Sequence, residues 1–315
     1  MKRALTLLSI IVLCAISFAP NANAAKKSEV PFEITSSKEV FKSVEDLDLN
    51  LHIIAPEGYT EGKSKNAFVF YFGGGWNSGT PTQFKERAEY FATHGFVCFL
   101  VEYRTKKNGT TPDVSLMDAK SAIRYIKANA KKFNINPKKI VTSGGSAGGH
   151  LAAAVAMCPE INDPTDDLSI PTDVCANVLY NPVVCNGPGK SGADKGYGYD
   201  RVAEYYKEFS PYYNVRKGVA PSIFLVGDKD HLIDVEVAYA YQKMFEECGS
   251  RCDVIIYEGA SHGFFNIISK TNDMTMFVKA TIDSHNFLKS LGLLKSDENV
   301  AEWAAKCYPQ YKVEL

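Results

Sequence analysis

Ser146 lies in the run Gly144-Gly145-Ser146-Ala147-Gly148, between a short apolar strand pattern and a series of helix formers. A serine placed this way in a glycine-rich turn is the layout of a nucleophile elbow. The sharp turn lifts the hydroxyl above a sheet edge, and the glycines remove side chains that would collide there. A phosphate-binding turn is the competing reading, but no lysine follows the glycines as that turn requires. Ser146 is therefore expected to be a nucleophile.

A serine hydroxyl attacks only when a base takes its proton. The chain has six histidines. His52 falls in a strand pattern, His94 near a helix end and His150 behind the elbow glycines. His231 sits in a loop beside an acid, and His285 in the last helix. His262 differs, because Gly259-Ala260-Ser261-His262-Gly263-Phe264 is a flexible loop directly after the last strand pattern. It is the expected base. The base needs an acid to hold its tautomer and to offset the imidazolium charge. Val226-Gly227-Asp228-Lys229-Asp230 offers two. Asp230, three residues past the glycine that ends a strand, is the expected partner, and Asp228 is the alternative, suited equally to capping a turn.

Acyl transfer also needs donors fixed where a negative oxygen develops. Gly73-Gly74-Gly75-Trp76 follows an apolar run directly, and Gly74, Gly75 and Ala147 are the expected oxyanion donors. Trp76 either lines a pocket or covers the elbow. In Glu102-Tyr103-Arg104, Tyr103 is a candidate substrate contact, against the reading that the two charges form a buried ion pair bracing loops. Tyr197, Tyr199, Tyr205, Tyr206, Tyr212 and Tyr213 crowd one segment, either as a stacking platform for sugar rings or as that segment's own small core.

The elements that must position these residues alternate. Strand patterns fall at 46–53, 67–72, 96–101, 140–143, 178–180, 223–226 and 254–257, and helical patterns at 83–94, 111–133, 151–157, 235–247 and 276–291. Residues 25–45 read as a polar lead-in. Thr111-Pro112-Asp113 reads as an N-cap, a proline at the first helical position and an acid in the first turn. Strands alternating with helices imply an α/β fold with a mostly parallel central sheet flanked by helices. Residues 185–215 break the alternation and are expected to be a small insertion over the sheet.

At 315 residues, with 45% hydrophobic and 23% charged, the composition is that of an ordinary globular protein. Lys plus Arg number 35 against 36 Asp plus Glu, so no positive field argues for nucleic acid. Lys2 and Arg3, an apolar run to Phe18 and Ala22-Asn23-Ala24 have the order of a secretory signal peptide cleaved near Ala24. The run is about 15 residues, short of the roughly 20 that a spanning helix needs. The expectation is a signal peptide over 1–24, one domain over 25–315, a periplasmic or secreted product and no membrane span. Cys98, Cys158, Cys175, Cys185, Cys248, Cys252 and Cys307 lie beyond that cleavage point. Cys248 with Cys252, or Cys175 with Cys185, are possible pairs, and no tight Cys/His spacing suggests a metal.

Together these residues resemble the α/β-hydrolase superfamily over roughly residues 45–292, whose expected chain order is nucleophile, acid, histidine. The glycine loop and the Gly-Gly-Ser-Ala-Gly-Gly elbow are similar to those of bacterial acetyl-xylan and feruloyl esterase-like enzymes and of hormone-sensitive-lipase-like carboxylesterases. Phe72 departs from the pattern, because that position is often a histidine that steadies the loop. The resemblance implies an exported serine esterase acting on short acyl esters, acetyl foremost, on glycans, with no metal or organic cofactor. A serine peptidase of the same fold, a general carboxylesterase or lipase-like enzyme on small esters, and a binding protein on an inactive scaffold are the alternatives. The oligomeric state is left open.

Overall fold

The computed structural model describes residues 33–188 and 196–315. The expected signal peptide and residues 189–195 of the expected insertion lie outside the described residues. Eight strands form one sheet: β1 (Ile34–Val44), β2 (Leu47–Pro56), β3 (Lys65–Tyr71), β4 (Val97–Val101), β5 (Ile135–Gly145), β6 (Ala176–Tyr180), β7 (Ser222–Lys229) and β8 (Cys252–Ser261). Their order is β1-β2-β4-β3-β5-β6-β7-β8. β1, β2 and β4 pair antiparallel, and every pairing from β4 to β8 is parallel.

The helices are α1 (Lys85–Thr93), α2 (Pro112–Ala128), α3 (Ala147–Met157), α4 (Tyr199–Val202), α5 (Tyr206–Phe209), α6 (Val235–Glu247), α7 (Thr275–Ser290) and α8 (Val300–Cys307). They cover both faces of the sheet, as a parallel sheet requires. In β3 the period of two is visible directly. Val69 and Tyr71 face a core shared with Leu116 of α2, Leu151 of α3 and Tyr241 of α6. Phe68 and Phe70 face the opposite core, with Phe91 of α1, Phe277 of α7 and Trp303 of α8. Each fully buried aromatic of this kind contributes about 1.5–3 kcal/mol.

The structure corrects several expectations. Part of the polar lead-in is β1, an edge strand that exposes most of its side chains and buries only Phe41. It is held by its ladder to β2 rather than by an apolar face, so hydrophobic periodicity does not reveal it. α8 follows the last expected helix and docks through Val300, Trp303 and Ala304, spaced three and four apart. Thr111 takes the extended N-cap conformation before Pro112, yet its side chain makes no capping bond. Asp113 instead accepts from the Tyr205 hydroxyl at 2.9 Å.

Neither cysteine pairing forms, since Cys175, Cys248 and Cys252 are all free thiols. Among the described residues no helix is long and apolar enough to cross a membrane.

Candidate active site

β5 runs into α3 through Ser146, and the joint is tight. Ser146 is held at φ 55°, a conformation that costs a non-glycine residue about 1–3 kcal/mol and persists only where the surroundings fix it. Two hydrogen bonds lock the turn: Ser146 N–H donates to Tyr180 O at 2.9 Å, and Val183 N–H donates to Ser146 O at 3.2 Å. Glycine is required at 148, because a Cβ there would lie 2.1 Å from Tyr71 O and 2.3 Å from Phe72 O. Both are backbone atoms where β3 passes into the glycine loop, and they cannot swing away. Gly148→Ala should therefore lower the thermal midpoint by at least several degrees and reduce soluble yield, measured by thermal unfolding; an unchanged midpoint would show that the elbow can relax.

The sheet brings the three expected residues together. His262 Nε2 lies 2.9 Å from Ser146 Oγ, and His262 Nδ1 lies 2.8 Å from Asp230 Oδ2. β8 extends through Ser261, so the strand itself delivers His262 to the edge above the elbow. Asp230 follows β7, with its side chain fully buried. Its Oδ1 accepts from Leu232 N–H at 2.8 Å and from Ile233 N–H at 3.0 Å. Burial pushes the Asp230 carboxyl up, but the hydrogen bonds from His262, Leu232 and Ile233 outweigh it and hold the group below the usual carboxylate value. Asp228 turns away and accepts from Gly259 N–H at 2.7 Å, a local bond between the ends of β7 and β8.

The glycine loop faces Ser146 across a cavity of about 220 Å³, lined also by Gln83, Tyr197, Leu232, Phe265 and Asn266. Gly74 takes φ 128°, and a Cβ there would sit 1.9 Å from Ser78 O, so only glycine fits. Among the described residues the N–H groups of Gly74, Gly75 and Ala147 have no acceptor. They are donors without a partner beside the hydroxyl, which is the arrangement a developing oxyanion needs.

Three supports of this loop were not evident from the sequence. Gly73 N–H donates to Gln83 Oε1 at 2.6 Å. The Tyr103 hydroxyl donates to Phe72 O at 2.5 Å, and its ring stacks on Phe72 with centroids 4.0 Å apart. Arg201 donates to Gly75 O and to Asn77 Oδ1, each at 2.8 Å. These bonds steady a loop that has Phe72 where a histidine is often found. They also correct two candidate substrate contacts. Tyr103 is buried with its hydroxyl spent on Phe72 O, and does not line the cavity. Trp76 is buried too, edge-on to His150 and Phe209, so it covers the elbow rather than lining the pocket.

The charges of Glu102 and Arg104 do not pair with each other. Glu102 holds Asn50 and His52, while Arg104 holds Asp118. Both roles are bracing, but the expected buried ion pair between the two does not form, because each charge has its own partner on another element. Within the expected insertion the tyrosines pack on one another, Tyr206 on Tyr213 and Tyr212 on Tyr213, and Tyr197 is the one that lines the cavity. Arg87 was also missed. It is fully buried, lies 4.2 Å from the Tyr180 ring centroid, and donates to Phe265 O at 3.0 Å, anchoring the loop after His262.

Behind the elbow, His150 is buried, stacks on Phe209 and donates from Nε2 to Phe209 O at 2.8 Å. Burial lowers its pKa from 6.5 to about 3. Burial likewise lowers His94 to about 4, and lowers His285. A base whose folded pKa is depressed takes up its proton more readily in the unfolded chain. For His150, stability should thus be lost progressively as pH falls from about 6.5 toward 3, by up to about 1.4 kcal/mol per pH unit, with His94 and His285 acting in the same direction. The thermal midpoint should drop across this window, and less steeply in His150→Asn, which cannot titrate; equal slopes would remove His150 from the account.

An eight-stranded sheet in this order, a strained serine between β5 and α3, and a histidine and aspartate after β8 and β7 define a serine hydrolase architecture of the α/β-hydrolase type. The comparisons agree. Residues 51–177 match the BD-FAE family model, and residues 191–291 match the dienelactone hydrolase family. Esterase LipC of Mycobacterium tuberculosis is 27% identical over 219 residues, covering 64% of this chain and 54% of that protein. The acetylxylan esterase of Xylanibacter ruminicola is 27% identical over 244 residues, covering 75% and 48%. The chain thus spans about half the length of these curated relatives. The apo structure of Thermogutta terrifontis esterase 2 superposes with a TM-score of 0.77 at 35% identity, covering 83% of this chain and 97% of that one. Structures of the same esterase with propionate and with butyrate bound are 34% and 33% identical to this chain, each with a TM-score of 0.76 and each covering 86% of this chain and 98% of that one. The chain belongs to the esterases of the α/β-hydrolase superfamily.

Proposed function

We propose that this protein is an exported serine esterase that hydrolyses short-chain acyl esters, acetyl foremost, on oligosaccharides or polysaccharides. The observation that carries the reaction is the hydrogen-bonded line from Ser146 through His262 to Asp230, beside unpartnered N–H groups. Ser146 Oγ attacks the ester carbonyl while His262 Nε2 takes its proton. The carbonyl oxygen becomes negative and is held by Gly74, Gly75 and Ala147. Collapse breaks the bond to the alcohol, which leaves with the proton from His262. Water then attacks the acyl-serine, passes its proton to His262, and releases the acid and the free serine.

A short acyl group is supported by the small cavity beside Ser146, walled by Tyr197, Leu232 and Phe265. The esterase relative solved with propionate and butyrate bound supports the same range. The glycan is supported by the acetylxylan esterase relative, and export by the leader sequence. A p-nitrophenyl ester series should show kcat/KM highest for acetate to butyrate and at least about tenfold lower for octanoate, since added methylenes must clash with the wall or stay in water. Acetate release from acetylated xylan should exceed release from a small-molecule acetate at equal acetyl concentration. A flat chain-length profile would overturn the acyl assignment, and absent release from xylan would overturn the glycan. Processing after Ala24 is checked by N-terminal sequencing of exported protein.

A further inference from the structure

We propose that Asn181 is a positioning residue for this reaction, fixing the Asp230 carboxylate in the plane from which it orients His262. Asn181 directly follows β6 and is fully buried. Its Nδ2 donates to Asp230 Oδ2 at 2.8 Å, the same oxygen that His262 Nδ1 uses. A carboxylate only accepts, so the amide must present its NH2 group there. With Leu232 and Ile233 on Oδ1, the bond from Asn181 completes two donors on each oxygen and removes the carboxylate's freedom to rotate.

Two features show that general packing does not explain the residue. Asn181 sits at φ 38°, in the left-handed region, so its backbone is committed to this geometry. Its Oδ1 is buried with no partner among the described residues. A buried acceptor left unpaired is costly, and an apolar side chain would avoid that cost. The side chain does one thing in this position: it donates to Asp230.

The other titratable groups near the relay do not duplicate this bond. The His231 ring centroid is 6.2 Å from that of His262. Asp228 faces Gly259 N–H and Lys229. Tyr197 lies on the cavity wall. The inference rests on the esterase reading of the site, and the two can fail separately.

The test is the pH profile of kcat/KM for p-nitrophenyl acetate in the wild type and in Asn181→Gly, with active sites counted by a fluorophosphonate. Glycine tolerates the left-handed backbone and removes the carboxamide, the donor to Asp230 with it. Per titrated site, kcat should fall roughly tenfold to a hundredfold with KM little changed. The acid limb should move up by roughly half a pH unit, because Asp230 with one donor fewer accepts more strongly from protonated His262. A loss that only follows the count of active sites, with the limb unmoved, would reduce Asn181 to a structural residue and overturn the proposal. In the wild type, independent of any variant, the Asn181 side-chain amide signals should shift in NMR spectra with the midpoint of the acid limb. Signals that ignore that titration would also overturn it. A wild-type protein without esterase activity would instead sink the reading on which the inference stands.

Discussion

Replacing Ser146 with alanine should cut kcat/KM for p-nitrophenyl acetate by at least about a thousandfold, and by as much as about a millionfold. The loss should fall on kcat, with KM little changed, because the glycine loop and the walls of Tyr197, Leu232 and Phe265 survive the change. Alanine also relieves none of the turn geometry, since the bonds from Ser146 N–H and to Ser146 O are backbone bonds. The variant should therefore fold normally. His262→Ala should cost about as much, and the double variant little more, because residues acting as one relay are not additive. Retained turnover in Ser146→Ala, measured on protein free of contaminating esterases, would remove the nucleophile from the mechanism.

Asp230→Asn should lower kcat by about a thousandfold to ten-thousandfold. The two molecules differ by one charge and one proton pattern. In the native site Asp230 Oδ2 accepts from His262 Nδ1, which leaves Nε2 free to receive the serine proton. An asparagine amide can present its own N–H to Nδ1, and this places the imidazole proton on Nε2, where it blocks the base. The substitution also meets Asn181, which is placed to donate to this same position. Two amides then face each other where one donor and one acceptor are needed. Steady-state kinetics with active-site titration checks the expectation, and a loss below about tenfold would assign the orienting role elsewhere.

The parts of this site that were legible in the sequence are those whose chemistry needs a particular residue at a particular joint. Ser146 stands out because glycine spacing around a strand-to-helix turn is set by steric clashes, and Asp230 and His262 because each follows a strand end. The fold was legible for the same reason, since the parallel strands β3, β4, β6 and β7 each carry a short continuous apolar run. β1 was not, because an edge strand held by backbone pairing needs no apolar period.

The supports of the site were hardest to read. Arg87 and Asn181 act on Phe265 and Asp230 across separations of 178 and 49 residues, and Gln83 acts on Gly73 from ten residues further along the chain. Their types are unremarkable until the sheet brings them together. Asn181 carried a faint signal, as an asparagine before Pro182 at a strand end. Tyr103 and Trp76 misled in the opposite direction, because a large amphipathic ring beside a site loop serves as well beneath it as in front of it.

The central claim is that Ser146 is a nucleophile activated by His262. Its most direct measurement is reaction of the full chain with a fluorophosphonate, followed by peptide mass analysis. The wild type should gain one adduct, on the peptide carrying Ser146. His262→Ala should label at least about a hundredfold more slowly, since its serine lacks the base. An adduct on another residue, or no adduct on a folded protein, would contradict the account.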